Sequence, residues 1–199
     1  MIFTGMGQVR ARIAVDRALA SFTPGLVVTA GTAGALRAGL RHGDIVFESD
    51  RESRLAEILH SLGGIPGRFH CSPRVVARAD EKHALGQSVG ADAVEMESAA
   101  IHLTCRERKI PCATVRVISD VASEDLPMDF NEIMTPTLEI SFLRLGGMLL
   151  RRPSLVPGLI RFQNGLGQSA EKLADFLFRL GAAMQESCPR NTRKETRRD

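Results

Sequence analysis

Short apolar runs alternate along this chain with segments of helical period, and that alternation most narrows the folds open to it. Ala113, Val115 and Val117 alternate with Thr114 and Arg116, which reads as a strand with two different faces, ending on Ser119-Asp120. Leu26 to Ala30 is another short strand, feeding a glycine turn at Gly31 and Gly34, and residues 44–48 form a third after Gly43-Asp44. Ile2-Phe3-Thr4 reads as a strand end, and Arg74 to Arg78 is strand-like. Between these runs, Gly5-Met6-Gly7 opens a helix through about Ala20. Leu55, Ile58, Leu59 and Leu62 keep helical spacing with Asp50 as cap, and Asp80 caps a helix through Leu85 and Gln87. Met96, Ala100 and Leu103 mark a further helical face. The pattern predicts an α/β layered fold with a largely parallel sheet.

After Asp120 the character changes. Residues 121–136 carry two prolines and four acids, which suits a mobile loop. Leu138 to Leu150, a break at Pro153, a short helix to Phe162 and a final helix with Leu173, Phe176, Leu177 and Leu180 on one face complete the chain. At 199 residues, one domain over residues 1–185 is expected, with a basic tail at 186–199. From Pro189 onward five Arg or Lys face Glu195 and Asp199, so the tail alone accounts for the net charge of +3.

Composition excludes several classes. With 44% hydrophobic and 25% charged residues the chain is globular rather than disordered. No basic and aromatic motif of a nucleic-acid reader appears, so nucleic acid is not an expected partner. Cys71, Cys105, Cys112 and Cys188 form no CxxC pair and no metal spacing with the five histidines, which argues for a reduced, cytoplasmic setting without a metal site. No signal peptide and no bilayer-length apolar run is present, so the chain reads as soluble or at most peripheral. Nine Phe and no Trp or Tyr leave phenylalanine as the only large aromatic for stacking.

Two blocks carry acids where a site would need them. Val94-Glu95-Met96-Glu97-Ser98-Ala99-Ala100 puts two carboxylates just before a helix; Val115-Arg116-Val117-Ile118-Ser119-Asp120 ends a strand on a third. A carboxylate accepts two hydroxyl bonds at once, which suits Glu97 to a sugar. A strand-end acid lies where open α/β sheets form ligand crevices, and burial there would raise its pKa for acid catalysis. Plainer roles exist for each: Glu95 and Glu97 favour a helix N-terminus, and Asp120 is also a turn or helix cap. Arg116 is unusual within an apolar strand and, on strict alternation, shares a face with Asp120. It needs a carboxylate or anion partner, either structural or in a site.

The two blocks, with Ala30-Gly31-Thr32-Ala33-Gly34-Ala35-Leu36 and Gly43-Asp44-Ile45-Val46, resemble the nucleoside phosphorylase and methylthioadenosine/S-adenosylhomocysteine nucleosidase superfamily over residues 2 to about 133. The resemblance implies a single three-layer αβα domain with a central mixed, largely parallel sheet. It implies cleavage of the N-glycosidic bond of a purine nucleoside, with phosphate or water as co-substrate and no cofactor, by a homo-oligomer. Asp120, beside Ser119, would serve the purine N7 and Glu97 the ribosyl hydroxyls, with Met96 packed on the sugar and Glu95 as a second polar contact. Thr32 with the amides of Ala33 and Gly34 would cradle the nucleophile, completed by Gly7, and Arg116 is a further candidate contact.

The chain departs from the family in three places. Family nucleosidases carry a strand and a glutamate-rich turn ahead of the stretch matching Ile2 to Gly7, and that turn holds the water-activating glutamate. Many phosphorylases carry a phosphate-binding Arg where this chain has Thr29. The purine-stacking aromatic expected near residues 79–82 is missing from Arg78-Ala79-Asp80-Glu81-Lys82-His83-Ala84-Leu85. That stretch, with Gly90-Ala91-Asp92-Ala93-Val94, is similar to the hopanoid-associated phosphorylase branch, whose nucleosides carry a large lipid. The apolar and basic region from Phe142 to Phe162 is compatible with such a substrate, with peripheral membrane contact, or with core packing. Three readings stay open: a nucleoside-cleaving enzyme, a non-catalytic nucleoside-binding relative, and an N-terminally incomplete reading frame. The last predicts exposed sheet edge and self-association.

Overall fold

A computed structural model of the chain describes residues 1–49 and 54–187. The described elements, in chain order, are α1 (Gln8–Ser21), β1 (Val27–Ala35), β2 (Ile45–Ser49), α2 (Arg54–Ser61), β3 (Ile65–Pro66), β4 (Phe69–Cys71) and α3 (Ala79–Val89). They continue as β5 (Ala93–Glu95), α4 (Ser98–Glu107), β6 (Cys112–Asp120), α5 (Phe142–Arg151) and α6 (Val156–Ser187). The strands form one six-stranded sheet in the order β3-β2-β6-β1-β5-β4. It is mixed with parallel pairs in the majority: β1–β6, β2–β3 and β4–β5 run parallel, β1–β5 and β2–β6 antiparallel.

Helices cover both faces. On one, Leu173, Phe176 and Leu180 of α6 and Leu59 of α2 bury Ile45, Phe47, Val115 and Val117. On the other, Ala11, Val15 and Leu19 of α1 meet Ile101 and Cys105 of α4 over Cys112. Every residue of the central strand β6 is buried, and its two neighbouring ladders place its carboxyl end at the middle of the sheet.

Several expectations change. The strand expected at Leu26–Ala30 continues through the glycines to Ala35, because Thr32, Ala33 and Gly34 pair with β6 and Gly34 also pairs with Val94. Ile2-Phe3-Thr4 and Arg74–Arg78 are not strands. In the latter, the Val75 amide and carbonyl bond the Asn131 side chain instead of a neighbouring strand. Asp80 does not cap α3; it lies inside the first turn, and the Asp125 carboxylate takes the Ala79 amide at 2.8 Å. The face α4 buries runs through Ile101, Thr104 and Cys105, leaving Leu103 outward. The two helices expected after Pro153 are one helix of 32 residues following a short 3-10 turn. The Asp50 cap lies outside the described residues, as does the tail from residue 188.

Candidate active site

The sequence places Asp120 and Arg116 on one face, but the structure separates them. Between Ala33 and Gly34 the β1–β6 register shifts: Ala33 pairs with Ile118, whereas Gly34 pairs with Asp120, so Ser119 is an extra residue. A bulge of this kind re-aims the side chains beyond it. Arg116 stays on the face of Glu95, and Asp120 moves to the face of Gly34 and Val94. Gly34 is required there: a Cβ would lie 2.8 Å from Asp120 Oδ2 and 3.4 Å from Val94 Cγ1.

Asp120 is buried, as expected, and both its oxygens are engaged. The Ser119 hydroxyl donates to Oδ1 at 2.7 Å, and Lys82 Nζ lies 2.6 Å from Oδ2. Lys82, from α3, has no exposed surface, and its ammonium also donates to the carbonyls of Val121 and Glu124 at 3.1 and 2.8 Å. It therefore ties the strand-end acid to the loop that follows. Sequence reasoning missed Lys82. Its only signal was a lysine on the apolar side of α3, where the family pattern expects an aromatic.

On the other face, Glu95 is engaged through both oxygens. Its Oε2 accepts from the amides of Glu97 and Ser98 at 3.0 and 2.8 Å and from Arg116 at 2.7 Å, and its Oε1 accepts from the Ser98 hydroxyl at 2.6 Å. Burial pushes its pKa up, but the Arg116 guanidinium and the Ser98 hydroxyl outweigh it and hold the carboxyl below its ordinary value. Glu95 thus anchors the N-terminus of α4 and neutralises Arg116, with Oε2 fully engaged. Arg116 in turn donates to the Thr29 hydroxyl at 3.2 Å, so its role is chiefly a structural ion pair. Thr29, where many phosphorylases have Arg, accordingly has a guanidinium beside it.

Glu97 is not spent this way. It stands at the N-cap of α4 without a side-chain capping bond. Its Oε1 accepts from the Gly7 amide at 2.7 Å, and Oε2 lies 3.9 Å from Arg116. Burial raises its pKa above the ordinary value, partly offset by the Gly7 amide and reinforced by the Glu95 carboxylate. Gly7 has φ of 89°, favouring glycine. Its amide is committed to Glu97, so it does not complete an anion cradle. Thr32, Ala33 and Gly34 likewise form no amide turn; they are strand, and the Ala33 carbonyl accepts from Ser119.

Thr32, Ala33, Gly34, Glu95, Met96, Glu97, Ser119 and Asp120 nevertheless line one cavity of about 290 Å³ at the strand ends. Its remaining wall includes Phe130, Met134 and Ile140, to which sequence reasoning gave no site role, and Phe162 and Leu166 on α6, of which Phe162 ends the region read as compatible with a lipid-bearing substrate. Phe130 and Phe162 stand 5.5 Å apart between ring centroids, tilted by 36°. These two are the aromatic side chains on the cavity wall. A larger hollow near Glu48, His60 and Asp92 contains none of these groups. Among the described residues no cluster of three or more His, Cys, Asp or Glu side chains is placed to hold a metal ion.

A buried strand-end acid held in an ion pair and a second carboxylate at a helix start thus line one cavity at the strand ends of a mixed α/β sheet. The sequence profile of the Phosphorylase superfamily matches residues 1–52 and 59–141, and the chain belongs to that superfamily. Solved structures share the fold. Futalosine hydrolase of Helicobacter pylori strain 26695 matches with a TM-score of 0.65 at 19% identity, over 90% of this chain and 77% of that one. The 5′-methylthioadenosine/S-adenosylhomocysteine nucleosidase of Helicobacter pylori, with butyl-thio-DADMe-Immucillin-A, matches at 0.66 and 19%, over 91% and 78%. The S-adenosylhomocysteine nucleosidase of Streptococcus pyogenes, with 5-methylthiotubericidin, matches at 0.63 and 18%, over 89% and 75%.

Proposed function

We propose that the chain cleaves the N-glycosidic bond of a purine nucleoside. The observation that carries this reading is the shared cavity: Glu97, at the start of α4, and Asp120, at the end of β6, both line it, with Phe130 and Phe162 as its aromatic wall. The purine sits against these rings with N7 at Asp120, held in place by Ser119 and Lys82. As the C1′–N9 bond breaks and its electron pair leaves with the base, N7 takes a proton through Asp120, which draws it from the Lys82 ammonium paired with it and leaves that lysine neutral. Glu97 accepts hydrogen bonds from the ribosyl hydroxyls and stands beside the cation-like sugar, while Met96 packs on it. Water or phosphate supplies the oxygen that bonds to C1′, entering past Thr32. The apolar rim at Met134, Ile140 and Leu166 favours a 5′ side carrying an apolar group, in keeping with the resemblance to the hopanoid-associated branch.

The same reading carries a cytoplasmic homo-oligomer with peripheral membrane contact. The test is a panel of purine nucleosides incubated with the chain, with and without phosphate. Free ribose as product indicates hydrolysis and ribose 1-phosphate phosphorolysis. Binding of nucleosides without release of base under either condition would favour the non-catalytic relative instead.

A further inference from the structure

α5 is a strongly amphipathic helix of ten residues, Phe142–Arg151, with Arg144 and Arg151 on one side, yet none of its residues is buried. The apolar side of such a helix is ordinarily turned to a core. Leu145, Met148 and Leu149 lean toward the protein, half-buried, whereas Phe142, Leu143 and Leu150 are 81%, 90% and 86% exposed. Leu143, Gly146, Gly147 and Leu150 follow the i, i+3, i+4, i+7 rule of a single face, with Phe142 beside it. A Cβ added at Gly146 or Gly147 would meet nothing within 4 Å, so the face is open along its length. Val156 and Ile160, at the start of α6, add exposed apolar surface.

Along the chain this segment carries one sign of charge, the nearest acids being Glu139 just ahead of it and Glu132 in the short 3-10 turn that packs on α5. From Ile140 to Ala170 there is no Asp or Glu, and the charged residues are Arg144, Arg151, Arg152 and Arg161. A surface for a second copy of this chain would set these arginines against one another, unless acids elsewhere met them. An apolar helix face with arginines along its edge matches an anionic bilayer, where the side chains enter the acyl boundary and the guanidinium groups meet phosphate. Among the described residues no helix is long and apolar enough to cross a membrane, so the contact lies in the interfacial plane.

We infer that α5 and the start of α6 dock on an anionic lipid surface, through Phe142, Leu143, Leu150 and Ile160, with Arg151 and Arg152 as headgroup contacts. This deepens the membrane contact in the proposed function by naming its surface and lipid charge, and it is independent of the chemistry in the cavity. Ile140, Phe162 and Leu166 belong to the cavity wall, so docking brings the site's mouth close to the bilayer.

The test uses the full chain with phosphatidylcholine vesicles, with and without roughly one third phosphatidylglycerol. The chain is expected to sediment with the anionic vesicles and to be released by salt. Leu143→Glu with Leu150→Glu, and separately Arg151→Glu with Arg152→Glu, should each lower the bound fraction by about tenfold at unchanged thermal unfolding. Because the chain has no Trp, Phe142→Trp supplies a second readout that the basic tail cannot mimic: a blue-shifted emission on anionic vesicles. Equal sedimentation with and without phosphatidylglycerol would overturn the inference. So would binding that leaves Trp emission unmoved, or a dimer dissolved by the Leu143 and Leu150 changes in a chain that ignores vesicles.

Discussion

Lys82 and Asp120 are a buried ion pair, 2.6 Å from Nζ to Oδ2, in which the lysine has no exposed surface and the carboxylate almost none. Removing one partner of such a pair leaves the other charged and without its counter-ion, at a cost of about 3–5 kcal/mol. Lys82→Met should therefore destabilise the fold by that order, and Asp120→Asn should do so as well. The double variant should recover most of the loss. Chemical denaturation of the four proteins measures this, and strictly additive losses would mean that the pair is not coupled.

Glu97 should discriminate sugars. A hydrogen bond to a charged group is worth ~1.5–3 kcal/mol, so Glu97→Gln should weaken ribonucleoside binding by that amount and affect 2′-deoxyribonucleosides far less. Titration calorimetry on matched pairs is the measurement, and equal losses for both would remove Glu97 from the sugar.

How much of this was legible beforehand depends on whether a signal was local. β6, α1 and α2 follow from patterns within their own segments, and the resemblance singled out Glu97 and Asp120, which line one cavity. The β1 extension was not readable: Gly31 and Gly34 look like turn residues, and only pairing of Gly31 with Arg116 and of Gly34 with Asp120 and Val94 makes them strand. β3 and β4 are two and three residues long, too short to show alternation. The bulge that turns Asp120 away from Arg116 is a property of two strands at once. Phe130 and Phe162 reach the cavity, and Lys82 reaches Asp120, through long-range packing that no spacing encodes.

The two carboxylates of the acidic block should show opposite pH signatures. Glu95 is held below the ordinary value of 4.5, so its stabilisation is present above that value and is lost as pH falls through its lowered pKa. Glu97 is raised, so its favourable contribution is present below 4.5 and is lost as pH rises through its raised pKa. Glu95→Gln should lower Tm most at neutral pH. Glu97→Gln, whose amide oxygen can still accept from Gly7, should hold or raise it there and converge on the parent in acid. Melting curves across the acid to neutral range check both, and parallel curves would contradict the assignment.

Cys71, paired with Glu95 across β4 and β5, should be inert as a nucleophile. Burial first, then the Glu95 and Glu97 carboxylates, push its thiol up to about 12. In the folded protein near pH 8, iodoacetamide should modify it roughly three orders of magnitude more slowly than in the unfolded chain, by thiolate fraction alone. Peptide mass spectrometry after timed quenching reads this, and modification at the unfolded rate would show that the thiol is not held protonated.

The central claim is that the cavity between Glu97 and Asp120 breaks a glycosidic bond. The most direct measurement is the rate of purine release from a nucleoside cleaved by the parent chain, compared with Asp120→Asn and with the charge-balanced Lys82→Met/Asp120→Asn variant, each verified as folded. The account predicts release by the parent and a loss of about two orders of magnitude or more in both variants, because the group serving N7 is gone in each. Parent-like release from the folded, charge-balanced variant would contradict it.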